Sequence, residues 1–218
     1  DGLSPLLGGV CTQEQVGRML EHLRSPRELW TRIGLSTVDQ SAAYYEPGGY
    51  WNGAVWMPHQ WFFWKTLLDL GESDLALQIA DAALQVWKTE VDASYNCFEH
   101  FLVQTGRGAG WHQFTGLSAP VLKWFASYYV PGTLTGGLDV WITARDFDAD
   151  FTTLGASLVL HANTPSSFLA VMTPARKYRA RWNGAEIPLR VLPSGALDVT
   201  LPAGPARGRL EIAPSEAA

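Results

Sequence analysis

Three short stretches hold the residue types from which a reaction at a sugar can be built: TVDQSAAYYEPGGYWNGAVW (37–56), SYNCFEHF (94–101) and GRGAGWH (106–112). Among their acids Glu99 has the least usual company, between Phe98 and the pair His100 and Phe101. Aromatic surroundings desolvate a carboxylate and raise its pKa, while a hydrogen-bonding neighbour offsets that shift and orients the group. Cleaving a glycosidic bond takes two carboxyl groups, one protonating the leaving oxygen and one activating water or attacking the anomeric carbon. Glu99 is a candidate for one of them. Trp51, Trp56 and Trp111 are candidate walls, because an indole face suits the apolar face of a pyranose. Each residue also has a plainer explanation. Trp51 and Trp56 fit a core, Asn52-Gly53 fits a turn, and His100 and His112 fit histidines satisfied inside a polar cleft.

Other chemistries find little support. His22, His59 and His161 make no HxH or HExxH spacing, so no metal site is expected. Cys11 and Cys97 lack CxxC spacing and read as two small buried thiols. There is no G-x-S-x-G elbow, GxxxxGK[ST] loop or GxGxxG turn after a strand, and no cofactor is expected. GRGAG at 106–110 suggests a phosphate-cradling loop but lacks the preceding strand such a loop needs, and a flexible turn that admits close backbone approach is the simpler reading. Asp39 and Glu46 read as loop charges or helix caps. The net charge of −5 argues against a nucleic-acid or anionic-membrane partner. The longest apolar run is broken by Pro58, His59, Gln60 and Lys65, short of a membrane span. DGLSPLLGG lacks the charged and apolar regions of a secretory leader, which says little in a chain that starts abruptly; the compartment is left open, with a soluble, cytoplasmic protein expected over a secreted one.

The elements that must position these residues change in kind near residue 131. Before it, apolar residues recur at helical spacing; after it, short alternating runs are separated by Gly, Pro and Asn turns. Thr12 with Gln15 makes a capping box for a helix that stops before Pro26. A second helix is expected from about Gly53 to Leu70, ending at Gly71. Ser73 is expected to cap a third, whose apolar face holds Leu75, Ile79, Ala82, Ala83 and Val86, and a fourth fits about 111–129. Long helices with aromatic-rich connections suggest stacked helical hairpins whose loops gather at one end. The tail holds seven strand-length runs, with a hairpin signal at Asn183-Gly184, and predicts a small antiparallel sandwich. The expected division is therefore 1–131, helical, and 132–218, a β accessory domain. A hydrophobic fraction of 47% against 17% charged suits a folded chain throughout.

From about Leu6 to Tyr129 the chain resembles the C-terminal half of the (α/α)6-barrel glycosidases. It is most similar to glycoside hydrolase family 63 and the mannosylglycerate hydrolase-like proteins, with trehalases more distant. The resemblance rests on the RSPRELWTRIGLSTVD segment, YWNGAVW, NCFEHF and GAGWH, in that order. In the family a Y-W-(R/N)-G-(P/A)-(V/I)-W stretch lines the sugar subsite, matching Tyr50, Trp51, Asn52, Gly53, Ala54, Val55 and Trp56. An E-x-(F/Y) motif carries the general base, matching Glu99 with Phe101, and a G-W pair at the cleft floor matches Gly110 and Trp111. His59, Gln60 and His112 are further candidates for contacts to substrate hydroxyls. Asn52 stands where many relatives have arginine, and His112 where a small hydroxyl residue is common.

The resemblance implies an inverting α-glycosidase acting on a carbohydrate, with Glu99 as base. It also implies that the general acid is an aspartate in an N-terminal half of the barrel. This chain is then expected to be the C-terminal part of a larger enzyme, and Asp1, Asp39 and Asp92 are not promoted to the acid. Two alternatives remain at this point. One is a non-catalytic fragment or subunit that needs an N-terminal partner; the other is a sugar phosphorylase or epimerase on the same barrel.

Overall fold

The computed structural model describes residues 2–174 and 176–215. Asp1 lies outside them. After a single helical turn, α1 (Ser4–Leu7), the capping box forms as expected. Thr12 Oγ1 accepts from the Gln15 N–H at 3.3 Å and Gln15 Oε1 accepts from the Thr12 N–H at 2.8 Å, opening α2 (Gln13–Arg24). A two-residue hairpin, β1 (Trp30–Thr31) and β2 (Gly34–Leu35), follows.

Helix α3 (Met57–Asp69) starts four residues later than the periodicity suggests, because Gly53 to Val55 are taken up in a turn and a strand-like bridge. It ends as expected at Gly71, whose φ is +74°. The Gly71 N–H donates to Leu68 O and the Glu72 N–H to Leu67 O, the pair of bonds that closes a helix on a left-handed residue. Helix α4 (Ser73–Ser94) buries Ile79, Ala83, Val86 and, on the same stripe, Glu90. Ser73 does not cap it: its hydroxyl donates to Asp198 and accepts from Arg190.

The helix expected over 111–129 is a correction. Residues 98–112 form an antiparallel pair, β3 (Phe98–Phe101) and β4 (Gly108–His112). Gln113 then turns the chain at φ +57°, and a short α5 (Thr115–Ser118) precedes α6 (Pro120–Tyr129). Proline suits the first position of α6, where its missing N–H would have had no partner.

The rest of the described chain is antiparallel sheet, its seven expected runs appearing within nine strands. These are β5 (Leu134–Thr135), β6 (Val140–Phe147), β7 (Leu154–Leu160), β8 (Ser166–Ala170), β9 (Tyr178–Trp182), β10 (Ala185–Ile187), β11 (Leu189–Val191), β12 (Leu197–Leu201) and β13 (Ala206–Pro214). Asn183 and Gly184 turn between β9 and β10 with both φ angles positive, as an Asn-Gly hairpin requires. The run EIPLRV divides at Pro188, which has no N–H for a ladder. Its first half joins the sheet β10-β9-β13-β7-β6 and its second the sheet β11-β12-β8-β5. Both sheets supply one apolar cluster that includes Leu158, Phe168, Val199 and Leu210.

The chain forms two compact units. One combines the described residues up to Trp64 with Leu77–Trp124; the other combines Lys65–Ala76 with those from Phe125 onward. Cys11 and Cys97 are free and half-buried, rather than fully buried as expected. No described helix is long and apolar enough to cross a membrane.

Candidate active site

The site lies in the first unit and is built on the β3–β4 pair. Phe98 faces His112 and His100 faces Ala109, so one residue of β3, Glu99, stands opposite two of β4, Gly110 and Trp111. This is a β-bulge with a left-handed glycine in its first position, since Gly110 has φ +75°. The bulge aims the main-chain N–H of Trp111 at Glu99 Oε2, at 3.1 Å. The other oxygen, Oε1, accepts a short hydrogen bond from the Tyr50 hydroxyl.

Tyr50 comes from the YWNGAVW segment, which is joined to the same strand. Val55 and Phe101 exchange two main-chain bonds of 2.9 Å, so residues 50–56 run beside β3. The turn before Val55 depends on Gly53, where a Cβ would stand 1.7 Å from the Glu46 carbonyl oxygen. Asn52 uses its amide on the Tyr44 carbonyl at 2.8 Å. Trp56 is buried, with its indole N–H on the Tyr50 carbonyl at 2.7 Å. It stacks between Trp51, at 4.0 Å and 8°, and His100, at 5.0 Å and 20°. Tyr50 meets the edges of both Trp56 and His100, at 4.8 and 5.2 Å.

Two sequence expectations change here. Trp56 and Gly53 are buried and shape the site instead of lining it; the open aromatic surface is Trp111 (70% exposed), Trp51 (56%) and Tyr50 (48%). Glu99 is not pushed up by its aromatic neighbours. The Tyr50 hydroxyl, then the Trp111 N–H, hold its carboxyl below the ordinary range, because both donate to the charged form. The same bond raises the Tyr50 phenol. His100 is buried with no partner for Nδ1, and burial lowers its pKa. An ionised carboxylate beside a neutral imidazole is suited to taking a proton, not to giving one.

Gly110 carries a direct prediction. A Cβ there would lie 2.5 Å from Glu99 Oε2 and 2.8 Å from His100 Cε1, on a backbone that disfavours side chains. Gly110→Ala is expected to destabilise the fold by about 1–2 kcal/mol from the left-handed backbone alone. It should also displace the carboxylate, so turnover should fall beyond what the lost stability explains. Denaturant melts paired with rate measurements would check both, and parental values in each would remove this account of the bulge.

The other expected site residues are spread differently. Gln60 is fully buried, and its amide bonds the N–H and C=O of Leu35 at 2.7 and 2.8 Å. It latches β2 from a fully buried position that a substrate does not reach, which corrects the expectation. His59 packs against Phe63, has an unpartnered Nδ1, and is held neutral by burial, which lowers its pKa to about 4. With Trp51, Asn52 and Tyr44 it borders a cavity of about 680 Å³ that Glu99 does not line. His112 is exposed on β4. His22, Glu28 and Asp39 bring three ligand atoms within 4.8 Å of one another, a grouping no linear spacing revealed. His22 Nδ1 already pairs with Glu28 Oε2 at 2.9 Å, and Asp39 accepts from the Ser41 N–H at 2.7 Å.

One structural residue escaped the sequence reading. Glu90, buried on α4, receives Arg107 Nε at 2.7 Å, a second Arg107 nitrogen at 3.0 Å and the Gly108 N–H at 2.8 Å. It anchors the start of β4, so Arg107 is not free to meet a phosphate. The signal was present, since Glu90 continues the apolar stripe of Ile79, Ala83 and Val86.

An ionised carboxylate on a segment that also presents exposed indoles is compatible with carbohydrate chemistry. Residues 1–115 match the family model described as the mannosylglycerate hydrolase MGH1-like glycoside hydrolase domain, and the chain belongs to that family. It is 29% identical over 126 residues to a mannosylglycerate hydrolase of Thermus thermophilus, covering 56% of this chain and 28% of that protein. Against mannosylglycerate hydrolase MGH2 of Selaginella moellendorffii it is 26% identical over 130 residues, covering 56% and 24%. The chain thus spans about a quarter of the length of these curated relatives. Among solved structures, a mannosylglycerate hydrolase of Thermus thermophilus in complex with Tris and D-glycerate matches with a TM-score of 0.49 at 28% identity. That match covers 55% of this chain and 28% of the other.

Proposed function

We propose that this chain carries the general-base side of an inverting α-glycosidase whose substrate is mannosylglycerate or a similar glycosylated small acid. The observation that carries the reading is Glu99, held ionised by Tyr50 and the bulge N–H, with the exposed rings of Trp51 and Trp111 on the two segments that supply these donors. In this reading Glu99 takes a proton from a water that attacks the anomeric carbon opposite the leaving group. Trp51 and Trp111 stack on the sugar, with His112 beside Trp111.

We assign the acid that protonates the leaving oxygen to another part of the protein, a reading supported by the chain's share of its relatives' length. Residues 1–131 are read as closing hairpins of an (α/α)6 barrel, and 132–218 as an accessory two-sheet sandwich. Family membership supports the first reading, and the apolar cluster shared by the two sheets supports the second.

The test is the stereochemistry of hydrolysis. Proton NMR of mannosylglycerate incubated with the full-length protein should show the inverted anomer of mannose first, before mutarotation. First appearance of the retained anomer, or no hydrolysis, would overturn the assignment.

A further inference from the structure

We propose that Tyr50 is a positioning residue for Glu99: its hydroxyl fixes one carboxylate oxygen while the bulge N–H fixes the other. This assignment rests on the reading of Glu99 as the base. It differs from the sequence expectation, in which Tyr50 meets the sugar.

The geometry supports the role on three counts. The carboxylate is fixed at two points on different oxygens, Tyr50 on Oε1 and the Trp111 N–H on Oε2, which sets its plane as well as its place. Tyr50 is itself held in place. Its ring stands edge-on to Trp56 and His100, and its carbonyl receives the Trp56 indole N–H. Finally, the phenol belongs to a segment joined to β3 two residues from Glu99, through Val55 and Phe101, so donor and acceptor move together. Each carboxylate oxygen has a second lone pair, which leaves room for a water on Glu99 while Tyr50 stays bonded.

Among the described residues, the groups that act on Glu99 are Tyr50, the Trp111 N–H and His100, and of these the Tyr50 phenol is the side-chain hydrogen-bond donor. Removing the hydroxyl should let the Glu99 pKa rise. Because the base works only when deprotonated, the acidic limb of activity should then move to higher pH.

Tyr50→Phe tests this, since it keeps the ring against Trp56 and His100 and deletes the oxygen alone. In the full-length protein with mannosylglycerate, kcat should fall about 10- to 100-fold with KM nearly unchanged, as expected for a misplaced catalytic group. A tyrosine that bound sugar would raise KM instead. The second readout needs no activity. Carbon-13 NMR of glutamate-labelled protein, with Glu99→Gln to assign the signal, should show Glu99 titrating at higher pH in Tyr50→Phe, at an unchanged melting temperature. An unshifted titration would overturn the role of Tyr50. A shifted titration in a protein whose Glu99→Gln variant still turns over would instead overturn the base assignment, so the two failures are separable.

Discussion

Replacing Glu99 with glutamine is expected to remove most turnover from the full-length protein while leaving sugar binding in place. The change conserves shape, and the site can accommodate the amide. Its oxygen can accept from the Trp111 N–H, while its NH2 donates to the Tyr50 oxygen, which then switches from donor to acceptor. The stacking surfaces of Trp51 and Trp111 are untouched. What disappears is the capacity to take a proton, a contribution that lowers rates by about 10²–10⁴-fold when lost. Because that interaction is made in the transition state, kcat should carry the loss and KM should hardly move. Initial rates across a substrate range, with calorimetric binding of the product sugar, would check both halves. Hydrolysis within a few fold of the parent would exclude Glu99 as the base. A lost affinity for sugar would show instead that Glu99 binds substrate.

Much of the helical part was legible because its signals are local. The capping box needs only Thr12 and Gln15, and the stop at Gly71 needs only one left-handed residue after an apolar stripe. Asn183-Gly184 is equally local. The β3–β4 pair was not legible, for a physical reason. FEHF shows no alternation, and GAGWH is rich in glycine, which weakens strands when taken alone. They pair because Glu90 and Val55 engage them from α4 and the YWNGAVW segment, and neither partner is near in sequence. The periodicity of 111–129 then extended a helix backward over residues that belong to a strand. The same gap explains the misjudged ionisation. Aromatic neighbours in sequence suggested a desolvated acid, but a bulge N–H and a hydroxyl from residue 50 reached it first. Trp56 and Gln60 point to a similar limit. Residue type marks what can touch a sugar, but burial decides whether it does.

Glu90 offers the largest expected effect on stability and a clear pH signature. It is almost fully buried, and the bidentate Arg107 contact, followed in size by burial and then the Gly108 N–H, leaves its pKa at about 2 against an ordinary 4.5. A carboxyl whose folded pKa is depressed binds fewer protons when folded than when unfolded across that interval. Its stabilising contribution is therefore complete above about pH 4.5 and is lost as pH falls toward 2. The full shift would correspond to about 3 kcal/mol, which solvent at the half-exposed Arg107 guanidinium reduces. Asp69, in the other unit, slopes the opposite way. Burial raises its pKa to about 6, so it costs stability as pH rises through the range from 3.8 to 6. Comparing variant with parent at each pH cancels that term. Glu90→Gln should be destabilised by about 2–3 kcal/mol at pH 7, where a charge-assisted anchor is replaced by neutral hydrogen bonds. The difference should shrink as pH falls from 4.5 toward 2, because the parent then protonates the same group. Denaturant titrations at pH 7, 4.5 and 3 would measure it. A difference that stays constant with pH would mean that Glu90 acts through its shape and not its charge. A variant as stable as the parent would mean that Arg107 and Gly108 find water as good a partner, and that other contacts hold β4 in place.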